Sequence, residues 1–93
     1  MRILGIDPGK TGGLAVIGDA YCSAIPMPVV GKEIDVRQIR EFIRLHNPDV
    51  AFIEQVAAMP KQGVTSTFTF GKGYGQVLGL LAGLNVAHRL VRP

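Results

Sequence analysis

Apolar residues in the first part of the chain come in three short runs, each bounded by turn residues. A Pro-Gly pair at 8–9 and a Gly-Asp pair at 18–19 stand between the runs, and both pairs are typical of chain reversals. Prolines at 26 and 28 end the pattern, because proline cannot donate a hydrogen bond to a neighbouring strand. The pattern predicts a three-stranded antiparallel meander with strands at 4–7, 13–17 and 21–25.

The rest of the chain alternates between helical and strand patterns. Residues 29–32 are predicted as a connection, and Asp35 is predicted to cap a helix that runs to about His46, where apolar residues recur at helical spacing. Positions 50–53 are continuously apolar, which is typical of a strand covered by helices on both faces. The remaining predicted elements are a loop at 57–63, a helix at about 65–84 and a last strand at 85–91.

This order of elements predicts an α/β fold in a single domain over residues 1–93. A helix between two strands usually joins parallel neighbours, so the first strand and the strand at 50–53 are expected to lie side by side. A meander followed by helix-separated strands therefore predicts a mixed five-stranded sheet with helices to the side.

Glycine recurs at every fourth position of the last predicted helix. The four residues are Gly71, Gly75, Gly79 and Gly83. At this spacing they fall on one face and form a ridge without side chains. Two interpretations stay open: the ridge lets another backbone approach closely, or it packs on the sheet of its own chain.

Acidic and basic residues are unevenly distributed along the chain. All seven acids lie at or before position 54, together with six basic residues, whereas positions 55–93 contain four basic residues and no acid. The net charge is therefore 6 − 7 = −1 for the first part and +4 for the second, which adds to the formal +3 of the chain. A basic second half fits a polyanionic partner such as nucleic acid, and equally an ordinary solvated surface.

Composition excludes several classes of protein. An apolar fraction of 47% with 18% charged residues is typical of a globular protein and argues against disorder. No run approaches the roughly 18 apolar residues of a membrane span, and the N-terminus lacks the pattern of a secretory signal. Cys22 is the single cysteine and cannot form an internal disulfide. We therefore expect a cytoplasmic protein without membrane contact.

Two acids follow apolar strands at their C-terminal ends, Asp7 after the first strand and Glu54 after the fourth. Open α/β sheets place their ligand sites at this edge, and two carboxylates that meet there repel each other unless a cation intervenes. Mg²⁺ or Mn²⁺ suits such oxygen ligands, and bound metal can assist phosphodiester cleavage. The alternatives are that Asp7 caps its own turn and that Glu54 pairs with a lysine or a backbone amide.

The two strand ends resemble a known family. The segments Ile-Leu-Gly-Ile-Asp-Pro-Gly at 3–9 and Gly-Gly-Leu-Ala at 12–15 resemble the first hairpin of RuvC-type Holliday-junction resolvases, including phage-encoded relatives. Ala-Phe-Ile-Glu-Gln-Val at 51–56, followed by a helix with a Gly-x-x-x-Gly motif, resembles a second element of the same family. The resemblance covers essentially the whole chain.

This resemblance implies an RNase H-like fold and metal-dependent cutting of four-way DNA junctions by a homodimer with two active sites. Asp7 and Glu54 match the first two metal-binding acids of the family, and so carry the implied catalytic and metal-binding roles. The glycine-ridge helix matches its dimer contact. The candidates for contact with the DNA backbone are Lys10, Lys61 and Lys72.

The chain also departs from the family pattern. The family completes its metal site with two further acids on a C-terminal helix, whereas this chain has no acid after Glu54 and ends before that helix would begin. An aromatic residue that some members carry after the second motif is Ala57 here. We therefore expect a C-terminally truncated nuclease domain with weak or no activity and an uncovered apolar sheet surface.

Two alternative functions remain at this point. The chain can be a non-catalytic remnant of the same fold that binds branched DNA or pairs with a second copy. It can also be a fragment of an actin-like or sugar-kinase ATPase, because the Gly-x-Asp-x-Gly-x-Thr-Gly pattern at 5–12 is similar to the first phosphate loop of those proteins.

Overall fold

The computed structural model describes residues 1–56 and 63–92. Its strands are β1 (Ile3–Asp7), β2 (Gly13–Gly18), β3 (Tyr21–Pro26), β4 (Val29–Val30), β5 (Glu33–Ile34), β6 (Val50–Glu54) and β7 (Ala87–Val91). Its helices are α1 (Val36–His46) and α2 (Val64–Gly83). The predicted loop at 57–63 lies almost wholly outside the described residues.

The main sheet has five strands in the order β3-β2-β1-β6-β7. The first three strands pair antiparallel, and β1–β6 and β6–β7 pair parallel. The predicted mixed sheet is confirmed, and so is the expected contact between the first strand and the strand at 50–53. Each parallel pair is joined through a helix, as the length of a parallel crossover requires.

Both helices cover the same face of this sheet. The sheet side chains on that face are buried, and α1 and α2 supply the other half of the core, with Ile39 and Leu81 fully buried. The buried sheet residues are Leu4, Ile6, Leu14, Val16, Ala51 and Ile53. α1 leads from the β3 side of the sheet to β6, and α2 leads from β6 to β7, so the chain advances across the sheet in one direction. Crossovers of the usual right hand then place both helices on one side.

Within residues 1–56 and 63–92, no helix or strand covers the opposite face of the sheet. Ile17 is 60% exposed and Val91 is 45% exposed on this face, and only alternate residues of β6 are buried. The prediction that helices cover residues 50–53 on both faces is therefore wrong, because the crossover direction puts α1 and α2 on a single side. The expected uncovered apolar surface is confirmed.

The end of α1 and its start agree with the sequence pattern. The carboxylate of Asp35 accepts hydrogen bonds from the backbone N–H of Arg37 and Gln38 at 3.1 and 3.3 Å, which satisfies two of the free donors of the first turn. Asn47 closes the helix in the left-handed conformation just before Pro48.

Among the described residues, neither helix is long and apolar enough to cross a membrane.

The predicted connection at 29–32 is instead part of a second, two-stranded sheet. β4 and β5 pair antiparallel around a turn that contains Gly31 with φ of +60°. Strands of two residues are too short to show an alternating pattern, which explains why the sequence did not predict them. This hairpin packs on α2, where a Cβ at Gly73 would lie 3.2 Å from the Ile34 side chain.

Candidate metal centre and nucleic-acid interface

Asp7 and Glu54 are neighbours at the C-terminal edge of the sheet. The parallel register ends with the pair Ile6 and Ile53, and Asp7 and Glu54 are the next residues on the two strands. Strand alternation places both carboxylates on the uncovered face, opposite the buried Ile6 and Ile53. Asp7 is exposed and Glu54 is partly buried.

Neither carboxylate has a protein partner within residues 1–56 and 63–92. The side-chain hydrogen bonds and ion pairs of that part of the chain involve other acids, namely Asp49, Asp35, Glu41 and Glu33. The turn after β1 is instead closed by the backbone, through a hydrogen bond from the Gly12 N–H to the Gly9 carbonyl at 3.2 Å. The described residues therefore show neither a capping role for Asp7 nor a lysine partner for Glu54.

The two carboxylates fit a hard divalent cation in the kind of ligand they offer. Mg²⁺ prefers six oxygen ligands, keeps several waters and is often held by one or two carboxylates together with substrate phosphates. No group of three or more potential ligands from His, Cys, Asp and Glu occurs among the described residues. The pair thus fits a magnesium or manganese ion that takes its other oxygens from water, phosphate or further acids.

Gly12 allows the chain to fold closely around Asp7. A Cβ at position 12 would lie 2.0 Å from the Asp7 carbonyl oxygen and 3.1 Å from its carboxyl carbon. No side chain fits there without moving the backbone that carries the candidate metal ligand. The glycine at this position is therefore required by the site geometry and not only by the turn.

We expect Gly12→Ala to destabilise the fold by about 2 kcal/mol, because the overlap is with backbone atoms that cannot rotate away. Gly31→Asn is the matched control, since that glycine has open space around it and asparagine tolerates its positive φ. Urea unfolding measures both variants. Equal stability of Gly12→Ala and the wild type would contradict this close approach.

The candidate lysines have different positions. Lys10 is exposed in the turn that follows Asp7, close to the sheet edge with the carboxylate pair. Lys72 on α2 forms an ion pair with Glu33, with 2.5 Å between Nζ and Oε1, so contact with a DNA phosphate would compete with this pair. Lys61 lies outside the described residues.

Two arginines that sequence reasoning missed, Arg89 and Arg92, lie in or just after β7, the strand next to the one that carries Glu54. A shallow cleft of about 310 Å³ is lined by Phe52, Glu54 and Arg92, among others. Arg89 pairs with Phe52 in the β6–β7 register and so shares the uncovered face. The alternation of Ala87, Arg89 and Val91 along the last strand is the signal that could have placed Arg89 there.

The glycine ridge of α2 faces away from its own sheet. A Cβ added at any of its members would meet no atom within 4 Å among the described residues, and all are exposed. They are Gly71, Gly75, Gly79 and Gly83. The interpretation that the ridge packs on the sheet is therefore excluded. Phe68, 69% exposed, extends the same helix face by one turn.

Comparison with solved structures identifies the architecture. A structure of Thermus thermophilus RuvC in complex with a Holliday junction substrate matches with a TM-score of 0.72 and 17% identity. A second Thermus thermophilus RuvC structure matches with a TM-score of 0.64 and 21% identity. The chain has a RuvC-like fold. The predicted RNase H-like architecture is thereby confirmed.

The RuvC match extends over the whole of this chain but not over the whole of RuvC. It covers 100% of these residues and 66% and 64% of the two RuvC chains, so the chain spans slightly less than two thirds of RuvC. No protein-family model matches the sequence, and no curated protein matches it. At these identities the likeness is one of fold.

Proposed function

We propose that this chain is the RuvC-like part of a divalent-metal-dependent endonuclease that acts on four-way DNA junctions. The observation that carries the proposal is the pair of adjacent carboxylates, Asp7 and Glu54, without a partner among the described residues at the C-terminal edge of the sheet. The fold supports it, because a structural neighbour is a RuvC described in complex with a Holliday junction substrate.

Each residue of the site has a distinct role in this proposal. Asp7 and Glu54 hold a Mg²⁺ or Mn²⁺ ion, which when bound supplies Lewis-acid activation of water and of the scissile phosphate. Lys10, in the turn after β1, and Arg92, which lines the cleft with Glu54, bind DNA phosphates in this proposal.

A second copy of the chain binds, in this proposal, along the open glycine ridge of α2. Glycine inside a helix costs roughly 0.5–1 kcal/mol relative to alanine, and none of the four ridge positions recovers that cost through a contact with the described part of its own chain. The exposed Phe68 on the same face offers apolar area to a partner. Close helix approach would give the ridge glycines a function.

A non-catalytic role in binding branched DNA is the second candidate, and one observation favours it. The described residues bring only two carboxylates together, whereas a nuclease site with four acids would hold metal more firmly. Under this alternative the same fold and the same basic residues bind the junction without cutting it. No such observation favours the actin-like hypothesis, whereas two RuvC structures match the fold.

Electrophoretic mobility shift with a four-way junction and a linear duplex of the same sequence tests the shared part of both candidates. We expect the junction to bind at least about tenfold more tightly, with the affinity falling steeply as salt rises. Equal affinity for the two DNAs would contradict a junction-binding role. Incubation with Mg²⁺ then separates the candidates: nicking that Asp7→Asn abolishes supports the nuclease, and binding without product supports the non-catalytic role.

A further inference from the structure

A cavity of about 370 Å³ lies between α2, the β4–β5 hairpin and the turn after β1. Its volume is within the range of small-molecule sites. Buried Met27 and Val77 form part of its lining, so it lies on the helix-covered side of the sheet. Neither Asp7 nor Glu54 lines it, and the cavity is therefore distinct from the candidate metal centre.

One wall of this cavity is aromatic. Phe70 and Tyr74 both line it, and their rings are nearly parallel, with 10° between the planes and 6.3 Å between the centroids. The Phe70 ring also packs against the turn after β1, 3.4 Å from where a Cβ of Gly9 would lie. A flat aromatic surface held in this way suits a planar heterocycle.

Another part of the lining is polar and positively charged. Lys10 and Lys32 both contribute, and Thr65 and Ser66 come from the first turn of α2. That turn contains no acid, and Gly63 at its N-cap has no side chain to cap it, so within the described residues its backbone donors and partial positive charge face an anion without a side-chain competitor. Glu33 lines the cavity too, but its carboxylate pairs with Lys72.

A buried hydroxyl also lacks a partner here. The Tyr74 oxygen is buried and makes no hydrogen bond among the described residues, although Tyr74 lines the cavity. Buried polar atoms are nearly always paired in folded proteins. Because less than 1 Å² of this oxygen is accessible, a ligand in the cavity gains it as a hydrogen-bond partner only if the neighbouring side chains shift.

We infer that this cavity binds a single nucleotide, with the base against Phe70 and the phosphate at Lys10, Lys32 and the start of α2. An aromatic wall beside a cationic, hydroxyl-rich region matches the two halves of a nucleotide. The ligand has two sources with the same chemistry: a free nucleotide, or an unstacked nucleotide of a DNA strand. The second source rests on the proposed DNA-binding function, and the first does not.

Isothermal titration calorimetry with thymidine 5′-monophosphate, thymidine and inorganic phosphate tests this inference on the whole chain. We expect the nucleotide to bind at least about tenfold more tightly than either of its parts, because both halves of the cavity are used. Phe70→Leu should weaken nucleotide binding by about fivefold or more and leave phosphate binding unchanged. Lys32→Ala should weaken both, and Arg44→Ala on α1, outside the cavity, should weaken neither.

Nucleotide binding that is no tighter than phosphate binding would overturn the inference. Lys32→Ala changes only an exposed turn, and an unchanged nucleotide affinity of this variant would also overturn it. Lys32→Ala therefore keeps the test decisive even if Phe70→Leu unfolds.

A four-way junction that carries 2-aminopurine identifies the source of the bound nucleotide. A fluorescence rise with wild type and not with Phe70→Leu assigns the site to DNA, and nucleotide binding without that rise assigns it to a free nucleotide. If the chain shows no preference for junction DNA, the proposed function fails, but calorimetry with the free nucleotide still tests the cavity.

Discussion

The Asp7→Asn variant is expected to melt at a higher temperature than the wild type in EDTA and at a lower temperature in magnesium. Without a cation, the neutral amide removes the repulsion between Asp7 and the adjacent Glu54 carboxylate. With magnesium at ten times its dissociation constant, the wild type gains about 1.4 kcal/mol, and the variant loses this gain. For a domain of this size the corresponding shift is about 5 °C or more.

Asp19→Asn is the control for this pair of melting curves. It also removes one carboxylate, but from the exposed turn between β2 and β3, which is away from the C-terminal edge that carries the pair. Its magnesium-induced shift should equal that of the wild type. Identical magnesium shifts in wild type and Asp7→Asn would remove the basis for a metal centre at these strand ends.

The second large effect concerns the proposed self-association through α2. Gly75→Leu should weaken the dimer by at least about a hundredfold, because the side chain prevents the helices from approaching. The same change should leave the monomer folded, since a Cβ at this position has open space within the described residues. Gly75→Ala should even raise the stability of the monomer by about 0.5–1 kcal/mol through its helix propensity.

Analytical ultracentrifugation of wild type, Gly75→Leu and Gln38→Leu distinguishes a specific dimer interface from nonspecific hydrophobic association. Gln38 is exposed on α1, so its replacement adds the same leucine to a helix surface without a glycine ridge. We expect this control to dimerise like the wild type. A dimer that survives Gly75→Leu unchanged would exclude the ridge as the contact.

The order of elements and the meeting of the two carboxylates could be predicted from the sequence. Turn residues at 8–9 and 18–19 mark the meander locally, and the rule that a helix joins parallel neighbours brings β1 beside β6. Once those strands are adjacent, Asp7 and Glu54 meet because each follows its strand directly. Nothing beyond local pattern and crossover geometry was needed for this result.

Which faces are covered could not be predicted from residue patterns alone. The apolar run at 50–53 suggested cover on both sides, but Phe52 and Ile53 point to opposite faces and only Ile53 is fully buried. Likewise, the glycine period defines a helix face without saying what it contacts; the glycine that packs tightly is Gly73, outside the ridge. The order of the strands in the sheet places both helices on one side and so determines which face is covered.

The nucleotide cavity could not be seen in the sequence at all. It is assembled from three separate segments, the turn after β1, the β4–β5 hairpin and α2, and the hairpin itself was predicted as a connection. Its aromatic wall depends on Phe70 and Tyr74 lying one helical turn apart on the covered side of α2. Such sites depend on tertiary contacts, which local pattern does not specify.

Manganese binding followed by EPR spectroscopy tests most directly whether Asp7 and Glu54 form a divalent-metal centre. We expect about one bound Mn²⁺ per chain, displaced by excess Mg²⁺, with affinity at least about tenfold lower in both Asp7→Asn and Glu54→Gln than in Asp19→Asn. A wild-type chain that leaves the free manganese signal unchanged would contradict it. So would the two site variants binding manganese as tightly as the Asp19→Asn control.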